Sequence, residues 1–452
     1  MGWYLGNVMS IVVGLGLLMA GTASAEREQG ITVHTHTQPG VTLVSTSGIP
    51  HHDIGNYTRS KFWHEGLPRG INRPWRQAIN VTIGQIASEN PVAVFHTGDM
   101  IDGRWSRDTD MKGIFGKETT LAQRTRVVER AAEFYYRQNR GWWARHGLAP
   151  HFGLGDHEVG DVGRSGVIPG GGFKYTAFST LRRAWARQFT GDGSRYAWHP
   201  PSGQHRRTAY ATMIRDVGFV NLDPFLKTHN GVHVRIGGLQ MRWLAHTLDD
   251  LRERGARFLI VQCEIPALGP NHASRSSHLI LANGDRLWRL LKRHDVDLLL
   301  SAEFHQLTTH SDGGTTPVQV VHGGQLYRGN VSYLVINTFD NRMELQLKRM
   351  NGRPTGTDEL WVPTPAGTVN SVRMYRGARV VGTMTIHDDG SLSDRTGHMT
   401  EGMSTGELPV LRGPVVRRSH DPLSLWRPCG WPSTLSSRRT RHEPLGLLCA
   451  DS

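Results

Sequence analysis

Cysteine is nearly absent. The 452 residues hold Cys263, Cys429 and Cys449, with no Cys-x-x-Cys pair among them. That spacing is what a thiolate metal site needs, so its absence argues against one. Cys429 and Cys449 could pair in an oxidising compartment and close a tail loop, whereas Cys263, inside the apolar run FLIVQC, reads as a small buried hydrophobe. The chain also has no internal repeat, no serine-hydrolase elbow and no Walker-type loop, which removes those enzyme classes. Acidic residues are in the minority, 39 against 52 Lys and Arg, for a net charge of +13. An Arg-rich solvated surface accounts for that excess, and steering of anionic substrates such as phosphate esters is the functional reading. No aromatic–basic module or zinc-finger spacing accompanies the charge, so no specific nucleic-acid module is read.

Hydrophobic residues make up 38% and charged residues 20%, the balance of a globular chain long enough for one large domain or two ordinary ones. At the N-terminus, VMSIVVGLGLLMA followed by Ala23-Ser24-Ala25 has the form of a signal peptide with a small-residue cleavage site, although its n-region lacks Lys and Arg. An uncleaved anchor is the other reading. The expectation is a signal peptide over 1–25, an extracytoplasmic location, secreted or in the cell envelope, and no membrane span after cleavage.

Beyond it, VTLVSTS (41–47) reads as a strand and 73–88 as a helix leading into the strand VAVF. A long amphipathic helix is expected over 121–147, stopped by Gly147, then a short strand at PHFGLG. Helices over 237–255 and 283–295 each precede an apolar strand, RFLIVQ and VDLLLS, and VQVVHGG, VSYLVINTF and MELQLKRM follow as three strands in succession. Stretches 160–172 and 190–207 read as surface loops, and Asp388-Asp389-Gly390 marks a hairpin turn. Strands alternating with helices, then strands alone, predict an α/β class: a layered β-sandwich flanked by helices. The main domain is expected over 26–350, an appended β-hairpin region over 351–400, and a basic tail without periodicity, read as disordered, over 401–452. Oligomeric state is not legible.

Polar residues fall at the ends of four apolar strands. These are Gly98-Asp99-Met100-Ile101-Asp102, Gly155-Asp156-His157-Glu158, Cys263-Glu264-Ile265-Pro266 and Ala302-Glu303-Phe304-His305. Taken singly, each is more often a turn or a capping residue. Taken together at the carboxyl ends of strands, where α/β sheets gather their ligands, they make a ring of oxygen and nitrogen donors suited to divalent cations.

This ordered set resembles the calcineurin-like metallophosphoesterase superfamily, whose motifs run Asp-x-His, Gly-Asp-x-x-Asp, Gly-Asn-His-Glu/Asp, a His before x-Pro, and Gly-His-x-His. The resemblance spans roughly 41–349 and is strongest at GDMID and GDHE. It implies the family's double β-sandwich and a dinuclear metal site. Position by position, it implies that Asp99 bridges two metals and that Asp156 takes the place of the metal-bound Asn. His157 would support the leaving group, oriented by Asp102. Glu264 takes the x-Pro histidine position, Glu303 and His305 match the last motif's two histidines, and Arg104 reaches the phosphate. The first motif is missing: the strand at 41–47 runs into Ser47-Gly48-Ile49-Pro50. Asp53, beside His51 or His52, is a candidate for that carboxylate, and a turn ahead of Gly55 is the equal alternative. The other departures, at Asp156, Glu264 and Glu303, each replace a neutral ligand by a carboxylate. Carboxylate-rich sites suit harder ions, so Mn²⁺ or Mg²⁺ is expected ahead of Zn²⁺ or Fe. The implied function is a secreted, metal-dependent phosphoric-ester hydrolase, a phosphatase or phosphodiesterase working through metal-bound hydroxide on a phosphate-ester substrate. The alternative is a non-catalytic metal- or anion-binding protein on a degenerate phosphoesterase fold.

Overall fold

The computed structural model describes residues 39–48, 73–101, 120–160, 162, 165–269, 279–304, 307–326, 329–354 and 372–400. The expected signal peptide and tail, the Cys429–Cys449 pair, and the candidate residues Asp53, Asp102, Arg104 and His305 lie outside them.

Among the described residues, the chain first forms β1 (Val41–Thr46), α1 (Arg73–Ala87), β2 (Ala93–His96), α2 (Leu121–Ala144), β3 (His151–Phe152), β4 (Val167–Pro169) and α3 (Phe173–Phe189). Four strands follow, β5 (Tyr210–Ile214), β6 (Val217–Asn221), β7 (Phe225–Lys227) and β8 (Gly231–Val234), then α4 (Gly238–Glu253), β9 (Phe258–Gln262), α5 (Gly284–Arg293) and β10 (Leu298–Ser301). Strands complete the described residues: β11 (Thr308–Asp312), β12 (Thr315–Val321), β13 (Gly324–Gln325), β14 (Asn330–Thr338), β15 (Arg342–Pro354), β16 (Val372–His387) and β17 (Leu392–Gly397).

One sheet runs β17-β16-β15-β14-β1-β2-β3, with β13 beside β14, and a second runs β11-β12-β10-β9-β6-β5; β4, β8 and β7 form a small third sheet. The predicted layered α/β sandwich is what forms. Strands β1, β2 and β3 are parallel, as are β6, β9, β10 and β12. Parallel strands are covered on both faces, which is why FLIVQ in β9 and LLLS in β10 are buried throughout. The two sheets meet through side chains: Phe95 of β2 stacks on Phe219 of β6 at 4.1 Å, and the Tyr210 hydroxyl donates to the Phe152 carbonyl at 2.8 Å. Cys263 is fully buried in that core.

Local signals set the helix ends. Thr120 caps α2 with a reciprocal pair, accepting from the Gln123 backbone N–H at 3.2 Å while Gln123 Oε1 accepts from the Thr120 N–H at 3.0 Å. The helix buries Val127, Val128, Ala131, Tyr135 and Trp142 at helical spacing and ends at Ala144, three residues before Gly147 takes a positive φ of 73°. Helix α3, which the sequence pattern did not announce, lies between the two expected loops and packs on α2. Beyond residue 350, β16 and β17 extend the first sheet, and Asp388-Asp389-Gly390 forms the expected turn between them. Among the described residues, no helix is long and apolar enough to cross a membrane.

Candidate metal centre

Each sheet sends two acids to one point. Asp99 follows the end of β2 and Asp156 the end of β3, both in the first sheet; Glu264 follows β9 and Glu303 follows β10, both in the second. All four are buried. Each offers one carboxylate oxygen such that these atoms lie within 4.8 Å of one another, and Asp99, Asp156 and His157 form a second, overlapping group. The carboxyl ends of parallel strands produce this convergence, since the loops leaving them turn over the sheet edge at one side.

Close approach of the loops demands glycine. Gly98 has a positive φ of 147°, and a Cβ there would lie 2.7 Å from the Gly155 nitrogen and 2.8 Å from Glu264 Cγ. At Gly155 a Cβ would lie 2.4 Å from Asp99 Oδ1. Two of the acids themselves sit at positive φ, Asp99 at 58° and Glu303 at 64°. Such backbone costs about 1 kcal/mol or more per residue and persists where surrounding contacts enforce it.

For Asp99 the enforcing contact is Glu158. Its carboxylate is fully buried and accepts four backbone N–H groups. Oε2 takes those of Gly155 at 2.7 Å and Asp99 at 2.9 Å, and Oε1 takes those of Met100 at 2.8 Å and Ile101 at 3.3 Å. Burial raises the Glu158 carboxyl to about 7, against the lowering effect of those N–H donors and of His157. The motif GDHE made Glu158 visible in the sequence, but nothing there revealed that it pins a loop some 58 residues upstream.

The electrostatics call for a cation. Burial lifts the Asp99 carboxyl well above the ordinary carboxylate range; His157 opposes this, and Asp156, Glu158 and Glu303 add to it. Burial does the same to Glu264, reinforced by Asp99, Glu303, Asp156 and Glu158. Asp99 Oδ1 and both Glu264 oxygens are buried with no hydrogen-bond partner. Buried carboxylates without partners are stable only when protonated or on a positive charge. Four oxygen donors from four side chains fit a hard divalent ion such as Mg²⁺, Mn²⁺ or Ca²⁺ better than a soft one.

His157 begins a short turn of 3₁₀ helix, His157–Val159, with its side chain 13% exposed and Nε2 3.9 Å from Asp156 Oδ1. The end of β1, where the first motif would put an acid and a histidine, carries only hydroxyls. Ser45 Oγ is 2.7 Å from His322 Nε2, and Ser47 Oγ donates to the Gly98 carbonyl at 3.2 Å. The structure therefore unites Asp99, Asp156, His157, Glu264 and Glu303.

No family model matches the chain, and a search of curated proteins finds no match. Solved structures similar to it include a dimetal phosphatase from Danio rerio, at TM-score 0.45 and 13% identity, over 75% of this chain and 100% of that one. Another is PhoD, at TM-score 0.47 and 14% identity, over 81% and 74%. A purple acid phosphatase from yellow lupin (Lupinus luteus) aligns at TM-score 0.42 and 12% identity, over 75% and 54%.

Proposed function

We propose that the chain is a divergent calcineurin-like metallophosphoesterase, exported through its N-terminal signal peptide, that hydrolyses phosphoric esters with the help of divalent cations. The observation that carries this reading is the buried convergence of Asp99, Asp156, Glu264 and Glu303, in which Asp99 Oδ1 and both Glu264 oxygens have no hydrogen-bond partner. These four residues would hold one ion, and a second would draw on Asp99 together with Asp53 and His305. Mn²⁺ or Mg²⁺ is the favoured ion on the chemistry of the donors. A bound divalent ion supplies Lewis acidity to a phosphoryl oxygen and to the attacking water.

The chain's own residues do the rest. Glu158 holds the Asp99 loop against the Asp156 loop, so the carboxylates keep their places with or without substrate. His157, partly exposed beside Asp156, supplies a proton to the departing alcohol. The P–O bond to that alcohol breaks as the oxygen of water bonds to phosphorus, and the proton that the water releases passes to solvent, from which His157 regains its own. Asp102 would orient His157 and Arg104 would steady the phosphoryl oxygens. Relative rates on a phosphomonoester and a phosphodiester distinguish the two ester classes.

The hydroxyl-only end of β1 favours a second reading, a protein that binds a metal or an anion without turnover. One experiment separates the two. Mature protein is stripped of metal, refilled with Mn²⁺, Mg²⁺ or Zn²⁺, and assayed on a chromogenic phosphomonoester and phosphodiester, with Asp99→Ala as control. Metal-dependent turnover that disappears in the control supports the hydrolase. Metal binding with no turnover on either ester, in folded protein, supports the binding protein.

A further inference from the structure

A second polar site lies on the other side of β9 from β10. Strand β6 pairs with β9 in parallel, Asn221 opposite Gln262, and the Leu222 N–H donates to the Gln262 carbonyl at 2.8 Å. Asp223 therefore follows β6 at the same sheet end at which Glu264 follows β9. Asp223 is fully buried and is paired with Arg182 of α3, and Thr208 donates to the same oxygen. Helix α3 also packs on the His157–Val159 turn.

Around that neutral pair opens a cavity of about 370 Å³ whose walls include Arg183, Arg207 and Lys227 as well as Arg182. The cations are held in place. Gln204 accepts from the Lys227 N–H at 2.9 Å and from Arg182 Nη1 at 3.2 Å, while Lys227 Nζ donates to the Tyr175 carbonyl at 2.8 Å and to Ser179 Oγ at 3.0 Å. Arg183 Nη2 donates to the Thr180 hydroxyl at 3.0 Å. Arg207 reaches Asp192 only at 3.6 Å, both side chains being about half exposed, a pairing worth little. Arg182, 6% exposed, keeps a buried Nε–H with no acceptor. Burial, and after it the nearby Arg183, pull the Lys227 ammonium below its usual range. The Asp223 carboxylate neutralises one of four cations, and a cleft with that imbalance concentrates anions.

We infer that this cavity binds a phosphate-class oxyanion, presented as a second anionic group on the ester whose hydrolysis is proposed above. The inference rests on that reading for the source of the anion, not for its chemistry. Arginine forks match phosphate oxygens, and the space takes a phosphate with part of the molecule that carries it.

The test has two arms on the full chain. In the first, inorganic pyrophosphate is titrated calorimetrically into chelator-treated wild type, the double variant Arg183→Gln/Arg207→Gln, and Arg379→Gln, an exposed charge on β16. One equivalent should bind to wild type and to Arg379→Gln, and at least about tenfold more weakly to the double variant, whose side chains are exposed and whose fold should hold. Equal binding by all three, or equal weakening by Arg379→Gln, overturns the site. In the second arm, KM is compared for a chromogenic ester carrying one phosphate and for one carrying two. The double variant should raise the two-phosphate KM relative to the one-phosphate KM by about tenfold. Loss of pyrophosphate binding with an unchanged KM ratio overturns the substrate assignment and leaves a free anion as the ligand. Absence of all turnover would sink the hydrolase reading alone, because the calorimetric arm still decides the cavity.

Discussion

Glu158→Gln isolates the scaffold of the site from its ligands. The substitution preserves shape and removes one charge from a side chain that touches no solvent. In the wild type, one oxygen serves the Asp99 and Gly155 N–H groups and the other serves Met100 and Ile101. A glutamine can turn its single oxygen to only one of these pairs and must set its NH₂ against the other two donors. Two charge-assisted bonds at about 1.5–3 kcal/mol each are lost. Part of that is offset because a neutral amide is easier to bury than a carboxylate, the same burial that lifts Glu158 to about 7. The net expectation is a loss of about 2–4 kcal/mol, or a Tm lower by about 2–5 °C in a chain of this size. Asp99 sits at positive φ beneath those bonds, so the variant should also give a smaller Tm rise when Mn²⁺ is added to stripped protein. Thermal unfolding with and without Mn²⁺ reads both effects. A Tm within a degree of wild type, with an unchanged Mn²⁺ shift, would refute the idea that Glu158 holds the two loops together.

Glu264→Gln should do the reverse in stripped protein. Removing one of four crowded buried acids raises the metal-free Tm by several degrees and abolishes the Mn²⁺ shift, and a variant that melts lower yet keeps the shift contradicts the cation reading. Gly155→Ala puts a methyl group 2.4 Å from Asp99 Oδ1, so Mn²⁺ affinity by calorimetry should fall at least about tenfold; an unchanged affinity would mean the loops are not in contact. Three buried histidines should work against the fold in acid. Burial lowers His151 and His205 to about 4 and His322 to about 3, below the ordinary 6.5. A folded state with depressed histidines is favoured above pH 6.5 and loses that advantage as pH falls, up to about 1.4 kcal/mol per pH unit per histidine until the folded values are reached. The raised carboxyls of Asp99, Glu158, Glu264 and Asp297 act in the opposite sense over the same range, so the histidines are read directly: their ring NMR signals should stay those of neutral imidazole from pH 7 to 5, and titration near 6.5 would show these rings to be solvated.

The sequence announced what period and chain order carry. Strands such as FLIVQ and LLLS are apolar throughout because both faces are covered, and α2 shows its buried face at helical spacing between Thr120 and Gly147. Helix α3 was not announced, although Ala177, Phe178, Leu181, Ala184 and Trp185 are its buried face, because glycine-rich flanks on one side and a polar loop on the other read as continuous surface. The strands β5 to β8 were missed for a related reason. Gly218 interrupts β6 at a point where a Cβ would lie 2.8 Å from Leu259, a tertiary requirement with no local signature. At the site, the four acids were legible as strand-end carboxylates, and their mutual approach within 4.8 Å followed from topology. The Glu158 hydrogen bonds to the Asp99–Ile101 loop and the Arg182–Asp223 pair were not legible, since each joins segments about 40 or more residues apart through geometry that no spacing encodes.

The division of the four acids between two sheets sets the order of events in the life of the chain. Asp99 and Glu303 lie about 200 residues apart in sequence, and neither sheet alone presents more than two of the four carboxylates. A partly folded intermediate with only one sheet formed has no competent site, so ion capture waits for the last long-range contacts to close. A chain that is threaded unfolded across a membrane would then acquire its ion on the far side. The metal it carries would be chosen by the compartment in which the sheets first meet rather than by the one in which the chain was made.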